Sequence, residues 1–545
     1  MNPIPGSSLE GPRFSCERHS MLAAGKAVSL RGGATERTMA ESVEPAMASL
    51  DRICDRLLSQ RSLILASNRG PVEHYVAPDG RAEARRGSGG IVTALNSLAQ
   101  GAQFTWVASA MGEGDRQVAA AAQSSPYKSP LPGHKIDLKY VVTPRRVYHK
   151  YYNVLCNPLL WFLQHYMWNP PYNPNVDASV HDAWQGGYIP VNRAFADSVI
   201  EQARQGDSPP VVMVHDYHLY LVPEMVRKEF PDALIQHFVH IPWPTPRYWQ
   251  MIPSFITRQI CSSLVSADIV GFQTAQDRQS FLDTVEEFVP GARVDREQHC
   301  IRREDLTTSV RLYPLSINVS EVQRISNSPR ALEHEDKLME ARSGTATIVR
   351  IDRAEPNKNV VRGFRAYELL LSRHPELHGK VNFLAFLVPS RTHIRQYQRY
   401  MEEINQVVAR INEAYGSEDW QPITTYMENN YTQAIAGMKL YDVLLVNSIM
   451  EGMNLVAKEG PVVNTRDGVL VLSQTSGAYE QLADGALPVS PTDIEGTMEA
   501  LFEAINMGPE ERRRRAAVLA ESVNREDINH WICRQLEDLA DLAER

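Results

Sequence analysis

Short, mainly apolar runs, separated by longer stretches of helical periodicity, set the rhythm of this chain. In the first half the runs fall at residues 63–66, 104–107, 140–142, 211–214, 234–239 and 269–272. In the second half they fall at 347–351, 381–387, 442–446 and 469–472. Runs this short, without polar alternation, suit strands of a parallel sheet covered by helices on both faces. Two sets of them predict an α/β protein with two doubly wound domains. The polar, strand-poor segment 326–344 divides the sets and marks the expected linker, giving domains at 46–328 and 329–545, with the last helices packing back toward the first. Residues 47–58 have the spacing of an amphipathic helix. Residues 1–45 mix Gly, Ser, Pro, Arg and Glu without period and are expected to be a disordered tail.

Composition narrows the classes more than it selects one. At 545 residues, the chain is long enough for two domains of ordinary to large size. With 43% hydrophobic and 22% charged residues it matches ordinary globular proteins. A formal net charge of −9 gives no reason to expect nucleic acid or an anionic membrane as partner, so any phosphate must be met by local cations. The six cysteines show no CxxC pair and no metal-ligand spacing, which favours a reducing compartment. No run of about eighteen apolar residues is present to span a bilayer. The first residues lack the long apolar stretch of a secretory signal, and a cytoplasmic protein is expected.

The candidate chemistry sits where strands end. Glu451-Gly-Met-Asn-Leu-Val-Ala-Lys-Glu459 sets two carboxylates eight positions apart around a glycine turn that opens a helix. Amide groups and the positive dipole at such a helix start suit a diphosphate, and a carboxylate further in suits a sugar hydroxyl. Ser67-Asn-Arg-Gly-Pro71 follows the first strand, and Arg86-Gly-Ser-Gly-Gly-Ile91 leads into an Ala/Leu-rich helix. Val214-His-Asp-Tyr-His-Leu219 and Val239-His-Ile-Pro-Trp-Pro244 place His and Asp directly after apolar runs. Arg353 and Lys358, five apart across a proline loop, can converge on a diphosphate as a fork and a point charge. The aromatic stretch 145–168 serves equally as core or as the flat faces a sugar packs against.

Taken in order, Ser-Asn-Arg, Gly-Gly, Tyr-Tyr-Asn with Asn-Pro-Leu-Leu-Trp, His-Asp-Tyr-His-Leu, His-Ile-Pro-Trp-Pro, Gly-Phe-Gln-Thr, Asp-Arg with Lys, Gly-Met-Asn-Leu-Val-Ala-Lys-Glu and Asp-Ile-Asn-His-Trp531 resemble the trehalose-6-phosphate synthase family. The resemblance covers residues 63–536. It implies a GT-B fold, two Rossmann-like domains facing a deep cleft, and retaining transfer of glucose from a nucleotide-diphosphate glucose to glucose 6-phosphate. It implies Arg353 and Lys358 at the donor diphosphate, Asn454 and Leu455 near the phosphates, Glu459 on the ribose, and Gly90 on the donor side. Glu451 and His240 are implied at the donor sugar, Asp216 at the acceptor hydroxyls, and Arg69, Tyr152, Trp161 and Arg391 at the acceptor phosphate. No cofactor and no divalent metal are implied, the nucleotide sugar being a substrate. A homo-oligomer is compatible with the sequence.

Three departures bear on the substrates. Glu451 stands where the synthases carry Asp, Glu-Pro-Asn-Lys-Asn359 replaces the common Asp-Tyr-Ser-Lys-Gly, and Pro461 with Val-Val-Asn-Thr-Arg-Asp467 follows the key helix, which is expected to be kinked or shortened. Pseudo-glycosyltransferases that join cyclitols share the last two features. The rivals are therefore a relative with another acceptor, such as a glucosylglycerol-phosphate synthase or a cyclitol-coupling enzyme, and a catalytically silent regulatory homologue.

Overall fold

The computed structural model describes residues 50, 52–87, 92, 95, 98–99, 101–171, 173–206, 208–340, 342, 344–392 and 394–544, all within one compact unit that spans Ala46–Arg545. The expected tail at 1–45 lies outside the described residues, as does Gly90. Of the stretch 47–58, residue 50 and residues 52–58 are helical.

In chain order the first half supplies β1 (Leu63–Ser67), β2 (Val72–Val76), β3 (Ala82–Arg86), β4 (Thr105–Ser109), β5 (Tyr127–Lys128), β6 (Asp137–Val141), β7 (Val211–His215), β8 (Leu234–Phe238), β9 (Ile269–Phe272), β10 (Arg293–Asp295), β11 (Cys300–Arg303) and β12 (Leu306–Leu312). The second half supplies β13 (Ala346–Arg353), β14 (Val381–Val388), β15 (Ile423–Tyr426), β16 (Val443–Val446), β17 (Val469–Ser473) and β18 (Leu487–Val489). The first sheet runs β10-β11-β12-β9-β8-β7-β1-β4-β6-β5, parallel from β12 to β6 with antiparallel edges. The second, β15-β14-β13-β16-β17-β18, is parallel throughout. Strands β2 and β3 form a separate hairpin.

Apolar runs are required here because each strand feeds two cores. Leu63 and Leu65 of β1 enter one core of the first sheet, whereas Ile64 and Ala66 enter the other. In the second sheet Val443 and Leu445 face one core and Leu444 and Val446 the other. Burial on both faces removes the polar positions that an exposed sheet would alternate.

Two features add to the sequence expectation. Around segment 326–344, marked as polar and strand-poor, lie helices Val319–Ser326 and Pro329–Glu340, with Val322 and Leu338 buried in a core of the second sheet. The antiparallel flank β10-β11-β12 and the second sheet's edge strands β15 and β18 carry no uniform apolar run, and the burial of β12 alternates, as an antiparallel flank allows. The last helix, Ile528–Ala543, crosses back to the first sheet, where Trp531, Ile532 and Leu536 join its core and Gln535 accepts from Gln236 at 3.0 Å. Among the described residues no helix is long and apolar enough to cross a membrane.

Candidate active site

Every side chain singled out for chemistry in the first sheet's strand-end motifs follows a parallel strand: Arg69 after β1, Asp216 after β7, His240 after β8. In the second sheet Arg353 closes β13, Lys358 follows it, Arg391 follows β14, and Glu451 follows β16. Carboxyl ends of parallel strands are where open α/β sheets hold ligands, because the loops there are free of sheet hydrogen bonds and face helix starts.

The two sets meet. A Cβ on Gly452 would stand 2.4 Å from the His240 carbonyl oxygen, and one on Gly477 would stand 1.8 Å from the Gly452 carbonyl oxygen. Three backbone segments are thus in direct contact at the base of the site, and only glycine permits the approach. The Arg391 guanidinium lies 4.9 Å from the Trp161 ring centre and 5.3 Å from that of Tyr397. Trp161 ends a π-helical stretch, Lys150–Trp161, that contains Pro158 and also carries Tyr152. The missing amide of Pro158 and the wider turn re-aim its side chains, a device frequent at functional sites. Tyr152 stacks between Tyr148 (5.5 Å) and His218 (5.9 Å). Arg69 is half-exposed, 3.6 Å from Glu73; burial opposes its charge, but the Tyr152 phenol and Glu73 offset this and hold it above its ordinary value.

On the second sheet Lys358 Nζ donates to Glu451 Oε2 at 2.6 Å and lies 3.9 Å from Asp352. Burial opposes the ammonium, yet these two carboxylates keep it charged and raise its pKa. Asn454 Nδ2 donates to Glu451 at 3.1 Å, while its Oδ1 accepts the Ala457 amide at 3.0 Å in the first turn of the helix Val456–Val463. That helix, which Leu455 leads, contains Pro461 and stops two residues later, so it is short as expected. Glu459 stands apart from this cluster and accepts from the Tyr431 hydroxyl at 2.8 Å; burial pushes its pKa up to about 7. Arg353 is largely exposed.

Glu355 was not singled out in the sequence. It is wholly buried, 3.2 Å from Arg353 and 3.8 Å from Arg391, and accepts from Ser390 Oγ at 2.7 Å. Burial pushes its pKa up, but the two guanidinium groups outweigh it and hold it at about 2. One fixed negative charge therefore holds a cation assigned to the donor and a cation assigned to the acceptor. Its signal in the sequence is its place two residues after Arg353 in the proline loop.

Asp216 has φ 75° and ψ 170°, a region almost confined to glycine. Its amide donates to the Phe238 carbonyl at 2.8 Å, its Oδ1 accepts the His240 amide at 3.4 Å, and His218 Nδ1 is 3.7 Å from Oδ2. Burial pushes its pKa up, His218 and His240 outweigh it, and the carboxylate stays ionised. The His240 carbonyl accepts from Gln273 Nε2 at 3.2 Å, and Gln273 Oε1 accepts the Leu315 amide at 2.9 Å. Gln273 was also missed; it joins the base of the site to the chain leaving β12.

Two doubly wound parallel sheets that bring fixed cations, carboxylates and stacked aromatic rings together at their carboxyl ends define a GT-B glycosyltransferase. The model of glycosyltransferase family 20 matches residues 61–541, and the chain belongs to that family. Among curated relatives, a bifunctional trehalose-6-phosphate synthase/phosphatase of Thermoproteus tenax is 32% identical over 86% of this chain and 62% of its own length, so this chain spans less than two thirds of it. A validamine 7-phosphate valienyltransferase of Streptomyces hygroscopicus is 29% identical over 88% of this chain and 94% of its own. The crystal structure of a UDP-forming α,α-trehalose-phosphate synthase from Burkholderia xenovorans in complex with glucose-6-phosphate matches with TM-score 0.75 and 26% identity, covering 88% of this chain and 99% of that one. The enzyme is a glycosyltransferase of the trehalose-phosphate synthase type.

Proposed function

We propose that this enzyme transfers glucose, with retention, from a nucleotide-diphosphate glucose to glucose 6-phosphate, giving α,α-trehalose 6-phosphate and the nucleoside diphosphate. The observation that carries the reading is the Arg353–Glu355–Arg391 chain: two cations one carboxylate apart can hold a diphosphate and a monophosphate on neighbouring sides of one cleft. Arg353 and Lys358 neutralise the charge that grows on the departing diphosphate, where a fixed cation lowers the barrier most. Arg391, steadied on Trp161, takes the acceptor phosphate with Arg69 and Tyr152, and Asp216 takes the acceptor hydroxyls. His240 and Glu451 hold the donor sugar, Glu459 the ribose, and Asn454 and Leu455 the phosphate amides. Attack comes from the face the diphosphate leaves, and the leaving phosphate oxygen accepts the acceptor proton. No metal ion is required for this chemistry.

A second reading is favoured by Glu451, whose longer side chain accepts from Lys358, and by the valienyltransferase relative. In that reading the donor carries a cyclitol. A matrix of UDP-, GDP- and ADP-glucose and a nucleotide-diphosphate cyclitol against glucose 6-phosphate, glycerol 3-phosphate and glucose, with and without a chelator, tests both. The expected product is trehalose 6-phosphate, formed equally with chelator and showing α-anomeric coupling constants. Transfer to free glucose at the same rate, or none from any nucleotide-glucose, refutes the proposal.

A further inference from the structure

We propose that His215 is a positioning residue that fixes His240 in its Nδ1–H form, so that His240 offers the donor sugar a hydrogen-bond donor rather than an acceptor. The inference rests on the reading of this side of the cleft as the donor-sugar site. His215 ends β7 and is 1% exposed; its Nδ1 lies 3.1 Å from His240 Nε2, and the ring centres are 5.3 Å apart. Burial drives both imidazoles to the neutral form at pH 7, His215 well below its ordinary pKa and His240 to about 4. Between two neutral rings at this distance, one nitrogen carries the proton and the other the lone pair.

Which nitrogen carries it follows from the far side of His215. Its Nε2 is buried and has no hydrogen-bond partner. A proton there would be an orphaned buried donor, whereas a bare lone pair there is the milder defect. The His215 proton therefore sits on Nδ1 and is donated to His240 Nε2. His240, being neutral, must then carry its own proton on Nδ1, which meets no hydrogen-bonding group among the described residues.

The ring is held in this pose. The Phe238 ring meets it edge-on at 4.5 Å, Trp531 lies at 6.4 Å, and its backbone is pinned by Asp216 and Gln273. The charged and titratable groups facing the pair are Asp216 and His237. A neutral N–H steadies a sugar oxygen without taking its proton, which agrees with a leaving phosphate, not a histidine, as the proton acceptor.

Neutron diffraction of the deuterium-exchanged full chain tests this without reference to activity: a deuteron on His240 Nδ1 and none on Nε2 is expected, and the reverse overturns the proposal. In kinetics, His215→Leu should lower kcat/KM for the nucleotide-glucose about tenfold, the worth of one hydrogen bond, with acceptor KM unchanged. His215→Asn, which keeps a donor near the Nδ1 position, should recover most of the loss. In a His240→Ala background, His215→Leu should cost nothing further; an additive loss overturns the positioning role. If His215→Leu does not fold, the wild-type neutron map decides. If the wild type transfers no glucose from any nucleotide, the proposed function falls while the neutron map still settles the tautomer.

Discussion

Gly452 is wedged between two other backbone segments, and alanine there measures how much the site depends on their approach. The added Cβ would stand 2.4 Å from the His240 oxygen and 3.2 Å from the Ile241 Cα. All the near atoms belong to backbone, so no rotamer change relieves the clash. The segment bearing Glu451 and Asn454 must withdraw by about 1 Å to restore ordinary contact. It cannot retreat freely, since the Gly452 carbonyl already faces Gly477. A displacement of about 1 Å between reacting groups costs about 10²-fold in rate, and overpacking costs about 1–3 kcal/mol in stability. We expect Gly452→Ala to fold, melt a few degrees lower, and lose about 10²-fold in kcat. Gly508→Ala, where the new Cβ meets nothing within 4 Å, is the control and should match wild type in activity. Steady-state kinetics and thermal melts of both variants make the test. A folded Gly452→Ala enzyme with kcat within threefold of wild type would refute the claim that this backbone contact sets the site.

Removing Lys358 alone leaves Glu451 buried without its cation. Lys358→Met should therefore lose about 3–5 kcal/mol of stability along with activity. Adding Glu451→Gln should restore stability by urea unfolding but leave kcat about 10²–10³-fold down; recovery of activity would discount Lys358 at the diphosphate. For Glu459, burial holds the carboxyl neutral in the folded state up to about 7, while in the unfolded chain it ionises near 4.5. Its contribution to stability thus falls as pH rises through that window and is flat above it. Nucleoside diphosphate binding should tighten as pH rises through about 7, because the carboxylate then accepts the ribose hydroxyls, and calorimetry on Glu459→Gln should show no such slope. Asp216→Gly and Asp216→Ala lose the same contacts, but only glycine accepts φ 75°, so the Gly variant should be the more stable by roughly 1–2 kcal/mol; equal urea midpoints would remove the strain from the account. Arg391→Ala should raise KM for the phosphorylated acceptor at least about tenfold with donor KM little changed, and equal rises in both would reassign it.

The parallel strands of both sheets were legible because burial on two faces forces uniform apolar runs, and β1, β7, β9 and β13 fall where those runs lie. The flanks were not: β12, between parallel β9 and antiparallel β11, buries only alternate positions and reads Leu-Thr-Thr-Ser-Val-Arg-Leu, and the edge strand β18 is three residues long. Segment 326–344 looked like a linker because its helices bury little beyond Ala331 and Leu338 and show charge elsewhere. In the site, residues at strand ends could be found because position and chemistry coincide there. Glu355 and Gln273 could not, since their importance comes from what they touch across the fold, Arg391 and His240 respectively. The Lys358–Glu451 pair joins residues far apart in the chain, and no spacing rule discloses it.

The last helix makes the second sheet, in chain terms, an insertion within the first. The chain leaves the first sheet by Ile317 and returns at Ile528, whose amide donates to the Ile317 carbonyl at 2.9 Å, so departure and return lie side by side. Trp531, Ile532 and Leu536, which complete a core of the first sheet, follow every strand of the second sheet in the chain. On the ribosome, the segment with the earlier strands must wait with that core open until the later segment has been made, reversing the usual order in which an N-terminal unit finishes first.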